Sequence, residues 1–174
     1  MNPKQRSQGL WQPLLLCVAM CLSAAAAALP ADKAQNMKIS SGEASIDSKQ
    51  GVTILIGPVK ITQGTLEINA DKVTLRYDNK HNLESLVADG LPARFQQQLE
   101  TDKPLVHAEA DKITYTLSKD HLTLDKNAFV EQNGATTRGG RIDYDMTSGT
   151  VHATGGTSNG VEFVIPPQLT EKKE

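Results

Sequence analysis

The chain has 174 residues, 39% of them hydrophobic, and a formal net charge of −2 at pH 7. This length and composition predict one globular domain rather than several. The basic residues are scattered along the chain, whereas a nucleic-acid-binding protein would need them clustered in a stripe, so we exclude nucleic acid as a partner.

The first 28 residues have the organisation of a secretory signal peptide. A basic head of Lys4 and Arg6 precedes an apolar run at residues 14–22, and the small residues 26–28 provide a cleavage site. The apolar run is shorter than the roughly 20 residues that span a membrane, which disfavours the alternative of a retained anchor. We therefore predict that residues 1–28 are removed on export.

Both cysteines of the chain, Cys17 and Cys21, lie within this signal segment. The exported domain would contain no disulfide, so its hydrophobic core and backbone pairing must hold it together. We predict a flexible lead-in at residues 29–36, one domain at residues 37–169 and a disordered tail at residues 170–174.

Three stretches of the domain carry versions of one sequence motif. Residues 70–77 read ADKVTLRY, residues 110–117 read ADKITYTL, and residues 139–146 read GGRIDYDM. In each stretch apolar residues occupy every second position, which is the period of a β-strand with one buried face. A fainter fourth version, GEASIDSK at residues 42–49, would place Ile46 on the buried face.

Short runs with the same alternation continue along the rest of the domain. Turn signals separate them, among them Gly-Pro at 57–58, Asp-Gly at 89–90, Asn-Gly at 133–134 and Gly-Gly at 155–156. Many short strands joined by frequent turns are typical of an all-β sandwich, barrel or roll. Stacked copies of the repeated motif would bury one continuous apolar strip.

Residues for catalysis or metal binding are hard to find in this pattern. The four histidines lack the paired spacing of zinc ligands, and the exported domain has no cysteine. Asp71, Glu109 and Asp111 could form a general acid–base pair, but the alternation points them to solvent at strand starts. The sequence therefore predicts neither an enzyme nor a metal or cofactor site.

The two ends of the domain have the character of edge strands. A strand with free N–H and C=O groups can pair with another chain, so the first edge of one copy could join the last edge of the next. The alternative is that the chain ends or Pro166-Pro167 cover these edges. The residues predicted to form the docking edges are Met37, Lys38 and Ile39 at the start and Phe163, Val164 and Ile165 at the end.

Residues 57–78, which read GPVKITQGTLEINADKVTLRYD, strongly resemble the core of the LptA (OstA) family of periplasmic lipopolysaccharide transport proteins. The resemblance continues through LPARFQQ at 91–97 and VIPPQL at 164–169, and it covers essentially the whole exported domain. Pro58 stands where the family usually has Asn. Because proline cannot donate a ladder hydrogen bond, this strand start should be an edge or a bulge.

The resemblance implies a slightly twisted, antiparallel β-jelly roll of many short strands that is open at both ends. Members of the family stack head to tail as homo-oligomers in the periplasm. Their N-terminal end points toward an inner-membrane transport complex, and their C-terminal end toward an outer-membrane translocon. The lipid A acyl chains of lipopolysaccharide travel along the apolar interior groove. The resemblance implies no catalysis, no metal and no cofactor.

The alternation of apolar residues and the resemblance to the family together predict which residues line this groove. Phe95 and Leu117 match groove residues of the family pattern, and Ile39 would lie at the N-terminal mouth. Ordinary core packing is the alternative for each position, because the same alternation predicts both roles. The predicted groove residues are Ile39, Val59, Ile61, Leu66, Ile68, Val73, Leu75, Phe95, Ile113, Tyr115, Leu117, Leu124 and Tyr144.

Three other functions remain open at the level of the sequence. The nearest is a related envelope component of the same fold. It could be the inner-membrane partner, which should keep its anchor, or the soluble domain of the outer-membrane component, which belongs to a longer chain. The second is a glycan-processing enzyme built on a β-solenoid. The third is a purely structural envelope protein that takes up no lipid.

Overall fold

The computed structural model of the chain describes residues 30–99, 103–156 and 160–167. The predicted signal peptide and the predicted tail lie outside these residues. The described elements are a helical turn α1 (Pro30–Lys33) and the strands β1 (Lys38–Ser40), β2 (Glu43–Asp47), β3 (Val52–Gln63), β4 (Leu66–Tyr77), β5 (Leu83–Gln97), β6 (Val106–Thr116), β7 (His121–Gln132), β8 (Ala135–Asp145), β9 (Thr150–Thr154) and β10 (Glu162–Val164). Within this part of the chain, no helix is long and apolar enough to cross a membrane.

The strands form one open antiparallel sheet, which confirms the predicted all-β fold. β3 to β8 pair in chain order, each strand with the next. Short strands share the outer positions, since β1 and β2 both pair with β3, and β9 and β10 both pair with β8. The sheet therefore has an N-terminal edge made of β1 and β2 and a C-terminal edge made of β9 and β10.

The long strands β3 to β8 are interrupted at one level of the sheet, along a line that we call the crease. The crease passes through Gly57–Pro58, Ala70–Asp71, Gly90–Pro92, Ala110–Asp111, Lys126–Asn127 and Gly139–Gly140. Of the edge or bulge predicted at Pro58, the structure has a bulge, between Ile56 and Val59, but Pro58 lies within β3 and not at a strand start. Because a bulge bends its strand, a row of aligned bulges folds the whole sheet over on itself.

The two halves of the long strands form two layers that face each other. Layer A contains the halves that pair with β2 and β9, and layer B contains the halves that pair with β1 and β10. Leu75 lies in layer A and Ile68 in layer B, and both belong to one buried cluster. The layers therefore cover each other as in a β-sandwich. We call the side opposite the crease, where the strand halves end, the open side.

The repeated Ala-Asp-Lys motif marks the crease. In β4, Ile68 is buried before the motif and Val73 after it, whereas Asp71 and Lys72 are both exposed. Two successive outward residues interrupt the strict alternation, so the buried face moves from even to odd positions. Residues 110–113 of β6 repeat the arrangement. The motif recurs on alternate strands because those strands bend in the same way.

Two expectations about strands need correction. The runs predicted as many short strands are, in the centre of the sheet, halves of long bent strands such as β3, which has 12 residues. The faint fourth copy of the motif does not form a further buried unit. Ile46 pairs with Thr53 but is 72% exposed, because β2 lies at the sheet edge and no other described strand covers it.

The lead-in that we predicted to be flexible at residues 29–36 has a defined position in its described part. α1 carries Asp32, which is buried against the turn between β3 and β4. Asp32 Oδ1 accepts a hydrogen bond from the Thr65 backbone N–H at 2.9 Å, and its Oδ2 accepts one from the Thr65 hydroxyl. A single helical turn has little stability of its own, so these side-chain bonds fix its position.

Candidate lipid-binding groove

A row of mainly apolar side chains crosses layer B from one edge of the sheet to the other. Cross-strand pairing begins with Ile39 beside Ile61 at the N-terminal edge and ends with Thr137 beside Phe163 at the C-terminal edge. The complete row, in spatial order, is Ile39, Ile61, Ile68, Phe95, Ala108, Val130, Thr137 and Phe163. Side chains that pair across strands share one face, so the row forms a continuous wall.

Layer A contributes a second row that faces the first. This row consists of Ile46, Thr53, Leu75, Leu86, Tyr115, Leu122, Tyr144 and Val151. The members of both rows between the edge strands are buried except Thr137, which is partly buried, whereas Ile39 is 42% exposed and Phe163 is 61% exposed at the two ends of the layer B row. The apolar interior therefore reaches both edges of the sheet, where no further strand covers it among residues 30–99, 103–156 and 160–167.

The structure places almost all the predicted groove residues between the layers. Of that set, all but Ile39 and Leu117 are buried. Leu117 is partly buried against the core, and Ile39 lies in β1 at the N-terminal edge of the sheet. The two layers therefore bring the predicted residues into one interior, and their contact with lipid stays a prediction.

Further buried residues of the two rows were absent from the predicted set. Leu86, Ala108, Leu122 and Val130 occupy the same two rows and are buried. These residues also alternate with polar residues in the sequence. Aligning each predicted strand with the strands before and after it could therefore have identified them. The buried polar side chain of Gln97 has no such signal, because its position depends on tertiary contacts.

A cavity of about 680 Å³ opens between the layers on the open side, near the N-terminal edge. Met37, Leu66, Leu83 and Leu117 contribute apolar parts of its wall. Ile39 also lines it, so predicted docking and groove residues meet at this opening. The volume lies within the range of about 300–1,000 Å³ that is usual for small-molecule sites. The cavity is therefore a candidate entrance to the groove.

An aromatic contact joins the layers next to this cavity. The rings of Phe95 in layer B and Tyr115 in layer A meet edge to face, with their centroids 5.7 Å apart. The Tyr115 hydroxyl donates a hydrogen bond to Asp120 Oδ1 at 3.0 Å. Burial, and then the negative charge of Asp120, raises the pKa of Tyr115 above its ordinary value. The phenol therefore stays neutral at the groove wall near neutral pH.

α1 connects the two layers across the open side, and we call it and its contacts the clasp. In layer B, Asp32 accepts hydrogen bonds from Thr65 and, at 3.3 Å, from Gln97 Nε2. Toward layer A, Lys33 Nζ lies 2.8 Å from Asp120 Oδ2, in the turn between β6 and β7. Both partners of this ion pair are partly exposed, so it contributes at most about 1 kcal/mol.

The residues considered for acid–base chemistry do not enter the groove. Glu109 Oε1 accepts a hydrogen bond from Arg94 Nε at 3.1 Å, and Asp111 Oδ1 accepts one from Asn127 Nδ2 at 3.0 Å. Asp71 is exposed. No group of three or more His, Cys, Asp or Glu side chains that could hold a metal ion occurs among residues 30–99, 103–156 and 160–167.

The predicted docking residues occupy both edges of the sheet. Lys38 and Ile39 belong to β1, and Met37 precedes it with its side chain partly buried at the cavity. At the C-terminal edge, three consecutive large apolar residues are exposed: Phe163, Val164 and Ile165. β1 and β10 each pair with one strand of the described sheet, so each has one side on which backbone groups can accept another strand.

Known proteins resemble this chain in sequence. Residues 38–150 match the family model described as LptA/(LptD N-terminal domain) LPS transport protein. The lipopolysaccharide export system protein LptH of Pseudomonas aeruginosa is 33% identical over 155 residues, which cover 88% of this chain and 87% of that protein. The lipopolysaccharide export system protein LptA of Haemophilus influenzae is 34% identical over 163 residues, covering 92% of this chain and 94% of that protein.

The fold agrees with a solved structure as well. The crystal structure of LptH from Pseudomonas aeruginosa superposes with a TM-score of 0.73 and 31% sequence identity, covering 79% of this chain and 100% of that chain. LptH is described there as the LptA homologous periplasmic component of the conserved lipopolysaccharide transport device. From the family model, the relatives and the shared fold, we conclude that the chain belongs to the family of LptA and LptD N-terminal-domain lipopolysaccharide transport proteins.

Proposed function

We propose that this chain is a periplasmic carrier that binds lipopolysaccharide by its acyl chains in the groove between the layers. The observation that carries the proposal is the mainly apolar row that crosses the whole sheet and ends in exposed Ile39 and Phe163. A core that only stabilised the fold would not need to continue to large exposed apolar side chains at both edges. The lipopolysaccharide export proteins among its relatives support the ligand, and periplasmic LptH supports the compartment.

The apolar groove would lower the free-energy cost of moving a lipid through water. Each CH₂ group removed from water contributes about 0.8 kcal/mol, so a lipid with several acyl chains cannot cross an aqueous compartment freely. A wall made of aliphatic side chains binds an acyl chain about equally well at successive positions, which permits movement along it. The sugars and phosphates of the lipid would stay outside the layers in water.

The exposed edges support assembly of copies head to tail. An added strand could pair with the free side of β1 or β10 through backbone hydrogen bonds. The edges differ from each other, so such a contact is heterologous and can continue from copy to copy. The layer B row of one copy would then continue into the next copy. The N-terminal end would face an inner-membrane transport complex and the C-terminal end an outer-membrane translocon.

The rest of the proposal follows from the carrier role. A signal peptide at residues 1–28 would direct the chain to the periplasm and would be removed there. Binding and release of apolar chains need no catalytic residue, metal or cofactor in this component. The energy for net movement would come from a partner at the inner membrane.

Site-specific photo-crosslinking in growing cells tests this proposal. A photoreactive residue at Phe95, between the layers, or at Leu117, at the cavity, should form an adduct with lipopolysaccharide. The matched control is Thr74, which faces outward on β4 and should form none. If neither inward position gives an adduct in a folded and exported protein, the carrier role is contradicted and a purely structural role becomes the better account.

A further inference from the structure

A residue that lines the cavity on the open side carries a buried hydrogen-bond acceptor that has no partner in the described part of the protein. Gln97 lies at the end of β5, is only 3% exposed, and lines the cavity. Its Nε2 donates a hydrogen bond to Asp32 Oδ2 at 3.3 Å. Its Oε1 is buried and has no hydrogen-bond partner among the described residues. A buried carbonyl oxygen without a donor is destabilising, so its presence calls for an explanation.

The neighbouring carboxylate fixes the orientation of the Gln97 side-chain amide. An ionised Asp32 can only accept hydrogen bonds, so the NH₂ group of the amide must face it. A flipped amide would place Oε1 against the carboxylate and would remove the bond that Nε2 makes. Asp32 is itself held by the Thr65 backbone N–H, at 2.9 Å, and by the Thr65 hydroxyl. The free acceptor is therefore built into the clasp.

Neighbouring polar groups in the cavity wall already have partners. The Tyr115 hydroxyl donates to Asp120, and the Lys33 ammonium pairs with the same carboxylate. Gln63 Nε2 donates to the backbone oxygens of Lys33, at 3.4 Å, and Gln35, at 3.0 Å. Because the Lys33 ammonium already pairs with Asp120, a phosphate group would gain little binding energy at this site. An alkyl chain that carries a hydrogen-bond donor matches both the apolar wall and the free acceptor.

We propose that Gln97 Oε1 is a recognition site for a hydrogen-bond donor on an acyl chain. The donor would be a hydroxyl group on the chain or the N–H of an amide that links the chain to its head group. The inference rests on the proposed function, because it assumes that acyl chains enter this cavity. A plain ester-linked chain offers no donor and would leave the oxygen unpaired. The cavity would thus prefer acyl chains that carry a donor near their head.

Two matched pairs of single-chain amphiphiles test the inference and separate the two kinds of donor. The hydroxyl pair is 3-hydroxytetradecanoate and tetradecanoate. The amide pair is N-tetradecanoyl taurine and O-tetradecanoyl isethionate, which differ only by an N–H in place of an oxygen. Dissociation constants are measured by displacement of a fluorescent fatty acid, below the micelle concentration. The donor member of at least one pair should bind about three- to tenfold tighter than its partner.

Two variants of the cavity wall identify the acceptor. Gln97→Leu removes the Oε1 atom and leaves an apolar side chain, so the ratio of affinities within the pair should fall to about one. Gln63→Leu is the matched control, because its amide lines the same cavity and bonds to backbone oxygens through its nitrogen. It should keep the wild-type preference. The wild-type comparison needs no variant, so the inference stays testable even if Gln97→Leu does not fold.

The outcomes distinguish this inference from the proposed function. Equal affinities within both pairs for the wild-type chain would overturn it, and a bound water would then be the donor to Oε1. A preference that survives in Gln97→Leu would also overturn it, because another group would be the acceptor. If none of the four amphiphiles binds, the carrier function itself fails. If all four bind equally, only the recognition site fails.

Discussion

The crease and the open side close the same interior by different means. At the crease the strands themselves run from one layer into the other, and Gly140 lets the backbone of Gly156 approach closely. On the open side the strand halves end separately, and α1 connects them through Asp32 and Lys33. The interior therefore has one side that is covalently continuous and one side that depends on side-chain bonds. If the groove admits a ligand from the side, the open side is where it should open.

The largest expected effect comes from breaking the crease with Gly140→Val. A Cβ atom at Gly140 would lie 2.5 Å from the Cα and 2.6 Å from the N of Gly156, and backbone atoms cannot move away cheaply. Overpacking of this kind should lower the free energy of unfolding by about 3 kcal/mol. Denaturant unfolding measures the change. Gly160→Ala is the control, because a Cβ there meets nothing within 4 Å, and equal stability of the two variants would contradict this role of the crease.

A smaller effect should follow from loosening the open side with Asp32→Ala. The variant leaves the Thr65 hydroxyl, the Thr65 N–H and the Gln97 amide without their acceptor, and should cost about 2 kcal/mol. Amide hydrogen exchange should accelerate in the turn between β3 and β4 and remain slow near the crease. Asp32→Asn keeps one acceptor oxygen and should show a weaker effect. Equal acceleration at the crease would mean that the two sides do not differ in the way described.

Alkaline pH should weaken the open side through Tyr115. Its pKa is raised in the folded state, so the unfolded state loses the proton first, and the unfolding free energy should fall as the pH rises above 10.0. The slope for one group is at most about 1.4 kcal/mol per pH unit. In Tyr115→Phe, the unfolding free energy should fall less steeply with pH, because the contribution of Tyr115 is absent. Denaturant unfolding of both proteins on either side of pH 10.0 tests this, and parallel curves would argue against it.

The smallest effect on stability should come from Lys33→Met, which removes the contact of the clasp with layer A. The loss should be about 0.5 kcal/mol, because the ion pair with Asp120 is partly exposed. Uptake of a fluorescent fatty acid should nevertheless become faster by about two- to threefold, which is that free energy expressed as a rate. Lys60→Met is the control, since its ion pair with Glu67 lies outside the cavity. Similar uptake by both variants would show that the clasp does not limit entry.

Much of the fold could be predicted from the alternation of apolar and polar residues along the strands. The bend of the strands at the crease could not. Val73 and Leu75 face inward as expected, because burial of one strand face imposes a period of two. Leu66 and Ile68 also face inward, but their spacing from Val73 is odd, so the sequence read as two strands where the structure has one. A change from even to odd buried positions within one run is the local sign of a bend. It was present in the sequence at Asp71–Lys72.

The clasp and the free acceptor could not have been predicted in this way. Asp32 bonds to Thr65 and Gln97, which are distant along the chain, and no local period relates these positions. Residues 29–36 looked flexible because their composition is polar and their pattern weak. The position of α1 comes from the buried Asp32 carboxylate, which accepts hydrogen bonds from several donors of the folded sheet.

The alignment of the bulges has a consequence for how such a molecule could vary in size. Because each long strand crosses the crease, a single strand already contains a piece of both layers. One strand thus determines the cross-section of the interior between the layers, and the number of strands determines only its length. Adding or removing a pair of strands would therefore lengthen or shorten the interior and leave its width the same.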